Sequence, residues 1–215
     1  MRYHVLPLIA ALAGCASLPV VPQADLSTPT GQVSAYLQRI EAVDDAGPRI
    51  GAVIAINPDA LKQAQIAQGM AGPLAGKAVL IKDNIEMAGP LPTTAGSLAL
   101  KDSVTGRDAP LVARMRKAGV VILVKTNLSE WANIRSSSSS SGWSGRGGQT
   151  RNPYALDRSP SGSSSGTGAA IAACLAAAGG AAARPHCQLP VRAAPADGQR
   201  AAHAAAAARL QRCGS

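Results

Sequence analysis

Two features of the sequence could together support nucleophilic attack on a carbonyl: a lysine after an apolar segment and a serine- and glycine-rich loop. Lys82 directly follows the apolar run Lys77–Ile81. A lysine that is partly removed from water has a lowered pKa, so its neutral amine can act as a base. A lysine at the end of a strand that simply reaches solvent is the alternative, and Lys82 alone does not separate the two interpretations.

The second feature is the loop Ser159–Gly168, which leads directly into a run of small apolar residues. Glycines let the backbone approach a ligand, and successive backbone N–H groups before a helix can hold an anion or an oxyanion. A flexible linker is the alternative, although linkers rarely continue into an apolar helix. A phosphate-binding loop fits poorly, because no lysine follows the glycines.

All three histidines lie near the ends of the chain: His4, His186 and His203. The central part of the sequence therefore has no histidine for a Ser-His-Asp arrangement. If this part performs nucleophilic chemistry, its base is another residue, and Lys82 is the best candidate.

Composition excludes several other classes of protein. The 215 residues carry a net charge of +9, but the basic residues form no dense block with interleaved aromatics, so we expect no nucleic-acid partner. The four cysteines lack the paired spacing of a metal site, and we expect neither a metal nor a cofactor. Aromatic residues make up only 2% of the chain, which is low for a complete globular domain.

Helix and strand patterns alternate along the chain. A helical period of apolar residues and short buried-type apolar runs predict, in order, helix Gly31–Val43, strand Gly51–Ile56, helix Asp59–Gln68, strand Lys77–Ile81, helix Pro110–Ala118 and strand Gly119–Val124. This order predicts an α/β layered fold.

Beyond the third strand the prediction is less regular. A polar loop is expected over 125–127, a short helical turn over Glu130–Ile134, and no regular structure over Ser136–Gly148. The small-residue run after Ser165 predicts a buried helix that packs closely on a neighbour.

Five motifs in one order resemble the amidase signature family over residues 32–173. They are Gly72–Lys77 with Lys82-Asp83-Asn84, Pro92–Ser97, Lys125–Trp131, Gly147–Tyr154 and Ser161–Gly166. Their wording is most similar to bacterial exported amidases and peptide amidases. The resemblance implies the amidase-signature fold, a mixed β-sheet core covered by helices, here incomplete.

The resemblance also implies a Ser–cis-Ser–Lys site. Lys82 takes the position of the lysine base, and Ser163 that of the bridging serine, which relays the proton and is associated with a cis peptide bond. A second serine, the nucleophile, would form an acyl-enzyme whose oxyanion is held by backbone N–H groups. The substrate would be a small amide or a peptide amide.

The nucleophile of that site is missing from the sequence. By motif order it lies about two dozen residues after Ser163, close to Cys187, where no Gly-Ser element occurs. A cysteine nucleophile beside His186 is conceivable. From residue 175 to 215 the composition becomes rich in Ala and Arg, which indicates a shift of reading frame; a natural truncated relative with a disordered tail is the alternative.

The first residues indicate export. The apolar stretch Val5–Ala13 is too short for a permanent membrane span, and it fits a secretory signal peptide. Leu12-Ala13-Gly14-Cys15 resembles a lipobox, which implies a signal peptide over 1–14, lipidation of Cys15 and a periplasm-facing lipid anchor in the outer membrane. A signal peptide with an incidental cysteine is the alternative. Residues 15–30, with three prolines, are typical of a tether.

Two functions therefore stay open. In the first, the domain over 31–174 is the N-terminal part of an amidohydrolase with a lysine base. In the second, the chain is a non-catalytic lipoprotein remnant, whose incomplete sheet would expose an apolar edge.

Overall fold

A computed structural model describes residues 25–134 and 136–179, together with the backbone of 182–183. The first helix, α1, spans Pro29–Ile40 and is followed by a π-helical turn, Glu41–Asp45. The Thr28 side chain accepts the Gly31 N–H at 3.1 Å, and Pro29 occupies the first turn, where its missing N–H costs nothing. Pro29 and Thr30, which the proline pattern placed in the tether, thus begin the helix.

Five strands form one mixed sheet. β1 (Val53–Ile56), β2 (Ala78–Lys82) and β3 (Val121–Thr126) correspond to the predicted strands, and they lie side by side in the order β1-β3-β2. β3 runs antiparallel to β1 and parallel to β2. Because β3 lies inside the sheet and both its faces are covered, all six of its residues are buried.

The sheet continues into residues that composition had assigned to the tail. β6 (Ala178–Gly179) pairs in parallel with β2, and β7 (Ala182–Ala183) pairs antiparallel with β6. Leu175 is fully buried in the core. The packed domain therefore extends at least five residues past the boundary drawn at residue 174, because small alanine and glycine residues can still pair backbone to backbone.

Helices cover both faces of the sheet. α2 (Ala60–Ala67) and α4 (Ser165–Ala172) pack with α1 in one apolar cluster, which includes Leu80 and Val124. α3 (Pro110–Lys117) contributes to a second cluster, which includes Ile81 and Ile122. Side chains alternate between the two faces of a strand, so neighbouring positions of β2 belong to different clusters. In β3, Leu123 and Val124 both belong to the first cluster, where the β2–β3 register is irregular. The mixed sheet covered by helices confirms the predicted fold class.

The structure corrects two local predictions. Lys125 and Thr126 belong to β3 and are buried, so the expected polar loop begins only at Asn127. Their polar atoms find internal partners, which removes the usual cost of placing them in a strand.

Residues 136–148 also contain regular structure, contrary to the prediction. β4 (Trp143–Ser144) and β5 (Gly148–Gln149) form a two-stranded hairpin. Glycines on both sides of Arg146, together with Gly148 at φ +65°, allow the tight turn that the serine-rich composition had obscured. Elsewhere the helical turn predicted over Glu130–Ile134 is present only as a short turn, Glu130–Asn133, in which Trp131 and Ala132 have left-handed φ values of +50° and +55°. In the described part of the chain, no helix is both long and apolar enough to cross a membrane.

Candidate active site

The structure brings Lys82 and Ser163 into direct contact, although 81 residues separate them. Lys82 is the last residue of β2 and lies opposite Thr126 of β3. Its Nζ donates a hydrogen bond to Ser163 Oγ at 2.9 Å. Partial removal of the amine from water lowers the pKa of Lys82, because desolvation penalises the charged form. The contact thus joins a lysine with a weakened hold on its proton to a hydroxyl that can exchange one.

The backbone around Ser163 has an unusual conformation. The peptide bond between Gly162 and Ser163 is cis, and Ser161 has φ +63°. The Ser163 carbonyl accepts the N–H of Ser129 at 3.0 Å. A Cβ on Gly162 would lie 2.4 Å from Ser129 Oγ, so the loop can approach this serine only with glycine at position 162.

The loop then enters α4 through a second close approach. Ser165 Oγ donates to the Ser161 carbonyl at 2.6 Å, and the Gly166 N–H donates to the Asn127 carbonyl at 3.0 Å. A Cβ on Gly166 would lie 2.4 Å from the carbonyl oxygens of both Ala52 and Asn127. Because the Gly166 N–H is already used inside the domain, it does not contribute to the oxyanion site that the glycine pattern predicted.

A second lysine lies at the end of the neighbouring strand. Lys125 is 1% exposed, and its Nζ donates to the Ile85 carbonyl at 2.6 Å and to Thr93 Oγ1 at 3.0 Å. Asp83, which is fully buried, is its ionic partner at 3.6 Å. Burial lowers the pKa of Lys125 to about 8, with the charge of Asp83 opposing the shift. At neutral pH the Lys125 ammonium is therefore still charged.

Asp83 connects this pair to the segment that carries Thr94. Its Oδ2 accepts the Thr94 hydroxyl, and its carbonyl accepts the N–H groups of Thr94 at 3.2 Å and Ala95 at 2.9 Å. The Asp83 N–H donates to the Thr126 carbonyl at 3.2 Å. The residue that directly follows Lys82 is thus held on several sides.

Asn127 connects the remaining motifs. Its fully buried side-chain amide donates to the Gly148 carbonyl and to Thr150 Oγ1, both at 3.0 Å. Its Oδ1 accepts the Ser144 hydroxyl at 2.7 Å and the Leu128 N–H at 2.9 Å. The donors and acceptors of one amide therefore hold the β4–β5 hairpin against the end of β3.

A solvent-open cavity of about 600 Å³ lies beside the turn that follows Ser129. It is lined by Glu130, Trp131, Asn133, Trp143 and serines 136 and 138–140. Within the described ranges, no group of three or more His, Cys, Asp or Glu side chains is placed to hold a metal ion.

Of the site residues that sequence reasoning named, Lys82 and Ser163 lie together, whereas Cys15 and Cys187 lie outside the described residues. The same reasoning assigned no role to Asp83, Lys125, Ser129 or Asn127. A signal was present for Lys125, because it also stands at the end of a buried apolar run. The carboxyl ends of two parallel neighbouring strands meet at one edge of a sheet.

The class of this domain is a mixed β-sheet covered by helices, with a lysine–serine pair at the end of the inner strand β2. A family model described as "Amidase" matches residues 32–181. The chain belongs to this family.

Relatives agree with this assignment. The chain is 49% identical over 146 residues to a probable amidase of Arabidopsis thaliana, a match that covers 64% of this chain and 28% of the relative. Among solved structures, the native peptide amidase of Stenotrophomonas maltophilia is 54% identical with a TM-score of 0.68, covering 71% of this chain and 32% of the other.

A more distant structural relative is a 6-aminohexanoate cyclic dimer hydrolase, which is 35% identical with a TM-score of 0.61 over 71% of this chain and 30% of its own. The chain thus spans about a third of the length of the relatives it matches, and it corresponds to the N-terminal part of the family.

Proposed function

We propose that this chain carries the base and the proton relay of an amidase site, with Lys82 as the base and Ser163 as the relay. The observation that carries the proposal is the 2.9 Å hydrogen bond from Lys82 Nζ to Ser163 Oγ. Family membership supports the reaction class, the hydrolysis of a carboxylic amide to an acid and ammonia or an amine.

The proposed mechanism moves one proton through the pair. The neutral amine of Lys82 accepts the Ser163 proton while Ser163 Oγ accepts the proton of a second serine, which attacks the amide carbon. As the C–N bond breaks, Ser163 gives one proton to the leaving nitrogen and regains one from Lys82, and water then hydrolyses the acyl-enzyme. Desolvation favours this role, because it enlarges the fraction of Lys82 that is neutral at a given pH. The sequence has no Gly-Ser element for the attacking serine near Cys187, and the residues around that position lie outside the described part of the chain.

For the substrate, we propose a small amide or a peptide amide. The support is the name of the structural relative from Stenotrophomonas maltophilia, a peptide amidase. The cavity beside Glu130 is wide enough for part of such a molecule, although neither Lys82 nor Ser163 lines it. Its connection to the pair is that Glu130 follows Ser129, whose N–H donates to the Ser163 carbonyl.

A chimera tests the proposed roles. Residues after Gly179 are replaced by the corresponding C-terminal part of the Stenotrophomonas maltophilia peptide amidase, and release of ammonia from a C-terminal peptide amide is measured. We expect turnover that Lys82→Ala or Ser163→Ala reduces by about 10²-fold or more. Lys101→Ala and Ser27→Ala, at exposed positions, are the matched controls and should leave the rate unchanged. A folded, active chimera that keeps its rate in Lys82→Ala would contradict the proposed base.

The native chain is assayed in parallel to separate the two functions that the sequence left open. Turnover by the unmodified 215-residue chain, lost in Lys82→Ala, would support an amidase. An active chimera together with an inactive native chain would support the non-catalytic remnant.

Export and lipidation at Cys15 form a separate proposal, supported only by the sequence Leu12-Ala13-Gly14-Cys15 and the apolar stretch before it. These residues lie outside the described part of the chain. Metabolic labelling with a fatty-acid analogue in a bacterial host should mark the wild-type chain and not Cys15→Ser. Equal labelling of both would exclude this site of lipidation.

A further inference from the structure

We propose that Asp83 and Lys125 are positioning residues for Lys82: their buried ion pair fixes the turn after β2, so that the Lys82 side chain meets Ser163. The role of Lys82 as a base rests on the proposed function, whereas the effect of the ion pair on the position of Lys82 does not. Neither Asp83 nor Lys125 touches Ser163 by any contact described above.

Side chains alternate between the two faces of the sheet at the ends of the parallel strands β2 and β3. Lys82 lies opposite Thr126, whose hydroxyl contacts Thr167 of α4 at 2.7 Å. Lys125 lies opposite Ile81, whose side chain belongs to the other apolar cluster. The two lysines therefore leave the sheet toward opposite faces, and an anchor for Lys125 on one face also sets the end of β2 on the other.

Several hydrogen bonds hold the residues that follow Lys82. Lys125 Nζ holds the Ile85 carbonyl, and the Ile85 N–H donates to the Lys82 carbonyl at 2.9 Å. Asp83, between them, holds Thr94 and the N–H of Ala95. The buried ammonium of Lys125 and the buried carboxylate of Asp83 therefore both hold this turn in place.

The hydrogen-bond network around Asp83 also reaches Ser163. The carbonyl of Ala95 accepts the Trp131 N–H at 3.0 Å, and Ser129, two residues earlier, donates its N–H to the Ser163 carbonyl. Both partners of the Lys82–Ser163 contact are thus tied to the segment that Asp83 holds. Replacing one member of a buried pair leaves a charge without compensation, which would loosen both ends of this network.

The test reads out Lys82 itself and needs no turnover. The full chain is labelled competitively with trace acetic anhydride across a range of pH, and the labelling rate of each of its six lysines is followed by mass spectrometry. We expect the labelling midpoint of Lys82 in Lys125→Met to rise toward that of exposed Lys62, and its rate at high pH to rise at least twofold.

The double variant Asp83→Asn/Lys125→Met keeps the test valid if the single variant does not fold. It removes one negative and one positive charge, so a change in the Lys82 profile there cannot come from net charge. We expect the same direction of change, since the bonds of Lys125 to Ile85 and Thr93 are lost. An unchanged Lys82 profile in either folded variant would overturn the proposal.

Two controls separate positioning from general loss of stability. Lys101 and Asp102 are also 3.6 Å apart, but their side chains are 67% and 86% exposed, so Lys101→Met should not alter Lys82. Ile40→Ala opens the core within α1 and should lower stability without shifting the Lys82 midpoint. A shift in Ile40→Ala equal to that in Lys125→Met would also overturn the proposal, because any destabilised core would then have the effect.

Discussion

Lys82 and Lys125 end adjacent parallel strands, yet the structure surrounds them in opposite ways. Lys125 is 1% exposed, has a buried carboxylate partner and donates to two further oxygens. Lys82 is only partly buried, and the hydrogen bond described for its amine goes to one hydroxyl. A charge with a full set of partners favours one fixed geometry, whereas an amine bonded to a hydroxyl can give up and take back a proton. The hydrogen-bonding partners of a lysine, and not its residue type, therefore determine whether it holds the fold in place or can act as a base.

The largest expected difference between the two lysines is their effect on turnover. In an active chimera, Lys82→Met should reduce amide hydrolysis by about 10²- to 10⁴-fold, since the proton of the attacking hydroxyl then has no acceptor. Its free energy of unfolding should change little, because Lys82 is only partly buried. Ammonia release and urea unfolding, measured on the same preparation, check both halves. A variant that loses stability and activity in proportion would place Lys82 with the anchors.

Lys125→Met should have its main effect on stability. Removal of one partner from a buried ion pair leaves Asp83 charged without compensation, and we expect a loss of about 3–5 kcal/mol in the free energy of unfolding. Urea unfolding of the full chain measures it, with Lys101→Met as the exposed counterpart. A loss as small as that of Lys101→Met would show that the ion pair contributes no more than a surface pair.

The pH dependence of stability should carry the signature of Lys125. Its pKa is about 8 in the folded chain and 10.5 when unfolded, so the unfolded chain holds more protons between these values. Stability from this group is therefore lowest below pH 8 and rises as the pH approaches 10.5, by up to about 3 kcal/mol.

Urea unfolding at pH 7, 8, 9 and 10 checks this rise in wild type and in Lys125→Met. The carboxylates of Asp83 and Glu86 oppose the pKa shift, and the charge of Arg146 adds to it. The difference between the two chains isolates Lys125 from tyrosines and other groups that titrate in the same range. A constant difference across the four pH values would contradict the lowered pKa.

Gly166→Ala tests the close packing at the start of α4, next to the loop that carries Ser163, the partner of Lys82. The new Cβ would lie 2.4 Å from two backbone oxygens that cannot move freely, so the start of α4 must shift; we expect a cost of about 1–3 kcal/mol. Gly168→Ala is the matched control in the same helix, because a Cβ there meets nothing within 4 Å. It should be neutral or stabilising by about 0.5–1 kcal/mol. Equal effects of the two variants in thermal unfolding would exclude this packing argument.

The sequence allowed the strands and helices around the site to be predicted because each apolar run is bounded by clear turn residues. The wrong prediction for Lys125 and Thr126 has a physical cause. Polar side chains normally favour a loop, and only the partners supplied from distant segments, such as Asp83, let the strand continue. Those partners are not visible in a local pattern.

Within the site, Lys82 and Ser163 could be named because a strand end and a glycine-rich loop are local signals. Their contact could not be read from spacing, since it depends on β2 and α4 packing across 81 residues. The β4–β5 hairpin was missed because the serine run masks a two-residue pairing that the side chain of Asn127 stabilises.

The hydrogen bonds of Asn127 limit how the β4–β5 hairpin can be exchanged between related proteins. Its one side-chain amide bonds to Ser144, Gly148 and Thr150 at the same time, so its N–H donors are already used and cannot adapt to a new partner. Residues 127 and 142–150 should therefore be inherited, and grafted, as one block. Exchange of the hairpin alone would leave the buried Asn127 amide without matching partners, whereas transfer of both segments together keeps the hydrogen bonds between them.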